Sequence, residues 1–208
     1  RDDLVTGVQT CALPICFITY PFLENLSDNF IYDLSSSADG GLWLAIERGG
    51  LAYFKDGQFK HYHEADGLPH EHIRTLYCDD ENLLWFGSRR GLGYLQNGEI
   101  SIVDHPILAT ASISDITRDR KGNFWICTFG DGVFQFDGNN FTQYSLPDGM
   151  LSNTIRSANE DAQGNLWFST KAGAIRYDGK QFTNFTQEDG LPDQNLKEIG
   201  RASCRERV

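Results

Sequence analysis

The 208-residue sequence predicts an all-β protein, a β-propeller fragment with about four four-stranded antiparallel blades in an open arc and partial strands at each end. The first observation is a repeat marked by four tryptophans, Trp43, Trp85, Trp125 and Trp167, which are separated by 42, 40 and 42 residues. The second is that short apolar runs and glycine turns recur in the same order around each tryptophan. A period of about 40 residues containing four short strands is typical of a propeller blade.

Each unit is divided by three turns and closed by a longer link. A turn-forming stretch such as "RKGNFW" or "AQGNLW" leads into the tryptophan, and a second turn follows at Gly50, Gly91, Gly132 and Gly173. A third turn has Asp-Gly or Asn-Gly, residues that tolerate the positive φ of tight hairpins. The links read "DGLPHEHI", "DGMLSNTI" and "DGLPDQNL", whereas the second unit has "HPILATASI". These signals place the blades at approximately 28–62, 70–103, 111–144 and 153–185.

The strands that contain the tryptophans are nearly continuous apolar runs, such as "LWLAI" and "FWICTF". Continuous runs indicate sheets that are covered on both faces, as in stacked blades. We therefore expect the aromatic side chains to fill the space between neighbouring blades. A β-sandwich or an up-and-down barrel is the alternative, but neither explains why groups of four strands recur in register.

The repeat resembles the two-component regulator propeller repeat over roughly residues 17–197. The fourth unit carries the pattern most clearly, at Asn153–Ile155, Gly164–Trp167, Thr170, Gly173, Tyr177–Gly179, Phe182 and Asp189–Pro192. The resemblance implies an extracytoplasmic sensor propeller, on the periplasmic or extracellular side of the inner membrane. In such proteins the propeller usually precedes a membrane span and a histidine kinase, or sometimes a diguanylate cyclase. It also implies that the remaining blades and the output domains are partners, and that the ligand is an oligosaccharide.

The two ends do not fit the repeat. Residues 1–16 and 198–208 resemble translated sequencing adapters, so we set them aside and assign 17–197 to the propeller. "FITY" at 17–20 matches "FKHY" at 59–62, and "DQNLKE" begins another unit. We therefore expect an outermost strand of a preceding blade and an innermost strand of a following blade.

The composition and the motifs argue against several functions. A formal net charge of −11 disfavours nucleic-acid binding, which requires basic surfaces. No apolar run in the sequence approaches the ~20 residues of a membrane span. The sequence lacks a nucleophile elbow, a P-loop and a dinucleotide fingerprint. We therefore expect no enzyme activity and no cofactor in this fragment.

Candidate ligand-binding residues lie in the turns between the second and third strands, which read "ERGG", "SRRG", "FGDG" and "TKAG". These turns and the links lie on one face of a propeller, and loops on a rigid scaffold concentrate binding. The basic residues are Arg48, Arg89, Arg90 and Lys171. They could bind a carboxylated or sulfated sugar, or they could be solvated charges paired with Glu47 or Asp131. Phe129 could stack on a sugar ring or pack beneath its turn.

A metal site is not expected. His61 and His63 share a strand face and form a possible metal pair, but no third ligand accompanies them, so surface imidazoles are the alternative. Asp39, Asp137 and Asp178 recur with the turns, and turn chemistry explains them. "DRKGN" and "DAQGN" lack the remaining positions of a calcium loop. Cys78 and Cys127 lie in predicted strands of different blades, where free thiols are expected and a disulfide stays open.

Three hypotheses for function follow. The first is a carbohydrate-sensing propeller of a two-component or related receptor. The second is a propeller polysaccharide lyase or hydrolase, for which the segment from His61 to His72 is the local asymmetry among the units. The third is a protein-interaction scaffold, which fold alone does not exclude.

Overall fold

The computed structural model describes residues 30–79 and 81–198. The expectations for residues 1–16, for the strand at 17–20 and for residues 199–208 therefore lie outside the described residues. The described part forms four separate sheets, each with four consecutive antiparallel strands in chain order. The predicted all-β propeller arc of four blades is confirmed.

Each blade is a meander, and its strands increase in distance from the propeller axis along the chain. The strands are β1 (Ile31–Ser36), β2 (Leu42–Ile46), β3 (Gly50–Lys55), β4 (Gln58–Tyr62), β5 (Ile73–Cys78), β6 (Leu84–Ser88), β7 (Gly91–Gln96), β8 (Glu99–Ile102), β9 (Ile113–Arg118), β10 (Phe124–Thr128), β11 (Val133–Phe136), β12 (Phe141–Tyr144), β13 (Ile155–Glu160), β14 (Leu166–Thr170), β15 (Ala174–Tyr177) and β16 (Phe182–Phe185). The first strands of successive blades, β1, β5, β9 and β13, are neighbours around the axis.

The tryptophans lie between blades, as the sequence predicts. Trp43, Trp85 and Trp125 are only 6%, 7% and 2% exposed. Each belongs to a cluster with apolar residues of the following blade, such as Phe86 for Trp43 and Phe168 for Trp125. Trp167, in the last described blade, is half-buried and stacks on Phe185 with ring centroids 5.3 Å apart. The first three indoles therefore form inter-blade cores among the described residues.

The turns between second and third strands meet the links on one face, which we call the loop face. The main-chain N–H of Gly50 donates to Glu71 O at 3.0 Å, and that of Gly132 donates to Asn153 O at 3.0 Å. Gly132 has a φ of +80°, and a Cβ there would lie 2.1 Å from Tyr144 O. Only glycine fits such a close approach in the left-handed region.

Three of the links contain a short 3₁₀ helix, at Glu64–Asp66, Leu146–Asp148 and Gln187–Asp189. Each ends at a left-handed glycine, so the recurring Asp-Gly of the links is a helix terminus. No helix within residues 30–79 and 81–198 is long and apolar enough to cross a membrane.

Candidate functional site

A cleft of ≈ 420 Å³ lies along the propeller axis, between the first strands of the four blades. We call it the axial cleft. Each first strand has a β-bulge directly after its leading isoleucine, because the pairing register shifts at that point in all four blades. The bulged residues and the residues that follow them all line the cleft, and they are Tyr32, Asp33, Arg74, Thr75, Ser114, Asp115, Arg156 and Ser157. Bulges of this kind re-aim side chains next to functional sites.

The residues after the bulges join neighbouring blades. Asp33 Oδ2 accepts a hydrogen bond from Leu76 N at 2.8 Å, and Asp115 Oδ2 accepts one from Ala158 N at 2.8 Å. Thr75 Oγ1 accepts a hydrogen bond from Ile116 N, in the third blade, at 3.2 Å. A first strand is the inner edge of its sheet, so these side chains satisfy main-chain donors that the sheet leaves unpaired.

The two aspartates of the axial cleft are harder to ionise than usual. Burial raises the pKa of Asp115 to about 6, although hydrogen bonds from Ala158 N and Ile116 N oppose the shift. Burial likewise raises the pKa of Asp33, against the hydrogen bonds from Leu76 N and Leu34 N. The negative charge of Asp115 therefore depends on pH within the mildly acidic range.

Two arginines lie one position nearer to the loop face. Arg74 Nη1 donates to Ser112 Oγ at 3.3 Å, and its guanidinium carbon lies 4.9 Å from the centre of the Phe129 ring. Arg156 Nη1 donates to Leu196 O at 3.2 Å. Burial lowers the pKa of Arg74, and the nearby positive charge of Arg89 adds to the effect. Both guanidinium groups are thus anchored by one N–H group each.

The structure brings together some of the predicted turn residues. Arg48 and Arg89 lie near His72, whose pKa is lowered by burial and further by these two charges. Glu47 Oε1 lies 3.8 Å from His72 Nδ1. The ion pairs found among residues 30–79 and 81–198 do not include the turn arginines, so the expected pairing with Glu47 or Asp131 is not seen there.

The other predicted residues lie apart from this group or have a different role. Arg90 and Lys171 are exposed, and in the described part of the chain no side-chain hydrogen bond or ion pair connects them to Arg74. Phe129 is 38% exposed and packs against the Arg74 guanidinium. It is therefore neither packed beneath its turn nor open to solvent on both faces.

The histidines do not form a metal centre in the described residues. The rings of His61 and His63 stack with centroids 6.0 Å apart, which agrees with their predicted placement on one face. His63 Nδ1 lies 3.1 Å from Glu71 Oε2. Within residues 30–79 and 81–198, no three His, Cys, Asp or Glu side chains converge as a metal site requires. Cys78 and Cys127 are free thiols, as expected.

Sequence reasoning missed the residues that line the axial cleft. The signal was available in the repeat, because each first strand begins with isoleucine, at Ile31, Ile73, Ile113 and Ile155. The residue after each isoleucine is not constant, because the second and fourth blades have arginine there and the other two have tyrosine and serine, whereas structural positions such as the tryptophans are the same in all four units. A position that varies while its neighbours repeat is a candidate for ligand contact.

Comparison with known proteins supports the repeat assignment. Residues 67–90, 107–130 and 149–172 match the family described as two component regulator propeller. Histidine kinase P4 of Formosa agariphila is 25% identical over 179 residues, covering 76% of this chain and 13% of the kinase. The predicted family resemblance is confirmed.

Solved structures with a similar fold include an extracellular domain and an enzyme. One is the extracellular domain of a B. thetaiotaomicron protein described as a one-component system, with a TM-score of 0.68 and 21% identity. The similarity covers 80% of this chain and 26% of that protein. Virginiamycin B lyase from Staphylococcus aureus has a TM-score of 0.63 and 19% identity, with 79% of this chain and 57% of the lyase covered. At such identities these similarities show the propeller fold alone.

Proposed function

We propose that this chain, which carries the repeats of the two-component regulator propeller family, is the ligand-sensing propeller of a membrane-bound signalling receptor. The observation that carries the proposal is the axial cleft, where bulged side chains converge near the loop face from four blades. A convergent polar cleft on a rigid sheet scaffold is the usual form of a ligand site.

The ligand in this proposal is a carbohydrate. The lining consists mainly of hydrogen-bonding groups, and the two arginines offer donors toward the cleft, whereas the Ser114 hydroxyl donates to Ile155 O at 2.8 Å and the Tyr32 hydroxyl is bonded to Glu47. Sugars present many hydroxyl groups, which such a lining can satisfy. The B. thetaiotaomicron relative is described as an extracellular domain, and we propose the same extracytoplasmic location for this propeller.

Signalling in this proposal depends on the relative positions of the blades and of the neighbouring domains. A ligand that contacts several first strands binds best to one arrangement of them, and its differential affinity shifts the population toward that arrangement. The chain spans only 13% of the length of the F. agariphila kinase. An output domain of the kinase type is therefore part of the proposal.

Binding of the full chain to a panel of neutral, uronate-containing and sulfated oligosaccharides tests this function. A ligand that binds the folded state raises the unfolding temperature by linkage, by an amount that grows with concentration over Kd. The panel should contain at least one member that produces such a rise and a saturable heat of binding. A folded chain that responds to no member would overturn carbohydrate sensing.

The same samples separate the enzyme hypothesis. Analysis of each oligosaccharide after incubation should show it intact. Cleavage products that disappear in the His61→Ala or His72→Ala variant would replace the sensor proposal with a lyase or hydrolase.

A further inference from the structure

We infer that the axial cleft binds an oxyanion, the carboxylate or sulfate group of an acidic saccharide, with Arg74 and Arg156 as its donors and Phe129 as a positioning residue. The inference rests on the proposed sensing function and specifies the chemistry of its ligand. It also moves the predicted binding residues from the turns to the bulges of β5 and β13.

The two arginines have unused hydrogen-bonding capacity. A guanidinium has five N–H donors in a rigid fork, which matches a carboxylate or sulfate bidentately. Arg74 donates one hydrogen bond to Ser112, and Arg156 donates one to Leu196. Neither takes part in an ion pair in the part of the chain that the structure describes.

The two aspartates of the cleft already accept hydrogen bonds from the main chain. Asp33 accepts from Leu34 N and Leu76 N, both at 2.8 Å, and Asp115 accepts from Ala158 N at 2.8 Å. They also lie one residue farther from the loop face than the arginines. The groups at the entrance that remain available are the N–H donors of the two arginines. They favour a ligand that supplies hydrogen-bond acceptors and negative charge.

The charge around the entrance of the axial cleft is positive. Arg89 lies close enough to add to the lowering of the pKa of Arg74, and Arg48 lies near Tyr32 at the same face. One acid, Glu47, faces these groups: it lies 3.8 Å from His72, hydrogen-bonds the Tyr32 hydroxyl and offsets part of the positive charge near Arg74. A positive rim on a chain of net charge −11 is a local inversion that attracts anions. Lys197 and Glu198, which carry opposite charges, also line the cleft.

Phe129 has an indirect role in this site. Its ring lies 4.9 Å from the Arg74 guanidinium carbon, within the range of a cation–π contact. A guanidinium held against a ring loses less freedom when it binds an anion. Phe129 therefore orients Arg74 rather than contacting the anionic group.

The test is calorimetric titration of the full chain with a uronate trisaccharide, a sulfated disaccharide, a neutral trisaccharide and inorganic sulfate. We expect the acidic saccharides to bind at least about tenfold more tightly than the neutral one, with affinity falling as salt rises. Arg74→Met and Arg156→Met should each weaken the acidic ligand by about 10- to 100-fold. The uronate and the sulfated sugar distinguish the two sources of the oxyanion.

Arg118→Met is the matched control. Arg118 makes the same kind of contact, 5.3 Å from the Phe124 ring, but at the opposite end of its strand, so its loss should leave affinity unchanged. Phe129→Leu should weaken acidic binding by about three- to tenfold, whereas Phe129→Tyr should restore it. Unfolding temperatures of all variants show whether a loss of affinity reflects a loss of fold.

The outcomes distinguish the oxyanion site from the carbohydrate ligand. Equal affinity for neutral and acidic saccharides, or full affinity in a folded Arg74→Met, Arg156→Met double variant, overturns the oxyanion site and leaves carbohydrate sensing intact. Binding of sulfate without any saccharide supports the oxyanion site and overturns the carbohydrate ligand. A chain that binds none of the four overturns both.

Discussion

Replacement of Asp115 by asparagine tests the energetic cost of a carboxylate in the seam between the third and fourth blades. The pKa of this group rises from 3.8 to about 6, chiefly through burial. Each unit of pKa shift corresponds to about 1.4 kcal/mol, so ionisation of Asp115 costs the native state on the order of 3 kcal/mol.

The sign follows from proton binding. Between about pH 4 and pH 6 the native state binds this proton more tightly than the unfolded state, so the free energy of unfolding falls as pH rises through that window. Above pH 6 Asp115 is ionised in both states, and the native state bears the full free-energy cost of that ionisation. Asparagine does not titrate and its amide oxygen can still accept from Ala158 N, although a charge-assisted bond weakens by about 1 kcal/mol. The variant should therefore be more stable than the wild type by about 1–2 kcal/mol at pH 7.5.

Urea unfolding followed by tryptophan fluorescence from pH 4 to pH 8 measures this effect. Asp115→Asn should lose most of the decline in stability between pH 4 and pH 6. Asp56→Asn is the control, because it removes the same charge at an exposed hairpin position where the second blade already has Asn97. If Asp115→Asn is less stable than the wild type at every pH and keeps the slope, the seam requires the charged group and the reasoning fails.

Further predictions concern the inter-blade cores and the turns. Trp125→Ala should destabilise the chain by about 3–5 kcal/mol, and Trp167→Ala by clearly less because Trp167 is only half-buried; equal losses in urea unfolding would contradict the assignment of the indoles to the seams. Gly132→Ala should cost more than about 2 kcal/mol, since its Cβ would collide with a main-chain oxygen of the outer strand. Gly138→Ala, with a φ of +100° and open space around its Cβ, should cost only about 1 kcal/mol in the same assay.

The repeat pattern identified some of the residues around the axial cleft and missed others. Arg48 and Arg89 were predicted from the charge of their turns, and the structure places them near the entrance, whereas Arg90 and Lys171 have no described contact with it. Phe129 was singled out as the aromatic of its turn, and its role in binding stays a prediction. Its partner, Arg74, was not, because the contact joins two blades.

The amino-acid sequence by itself determined the four blades, the strand order within each and the tryptophan-filled seams. These features depend on local signals, namely the period, the glycine turns and the apolar runs, which act within about 40 residues. Only the tertiary structure decided which side chains meet at the axis. Their partners lie 41 to 43 residues apart, as in the bonds of Asp33, Thr75 and Asp115 to the next blade. The bulges that turn Arg74 and Arg156 into the cleft arise from strand pairing and from the packing of blade against blade, which no single unit of sequence contains.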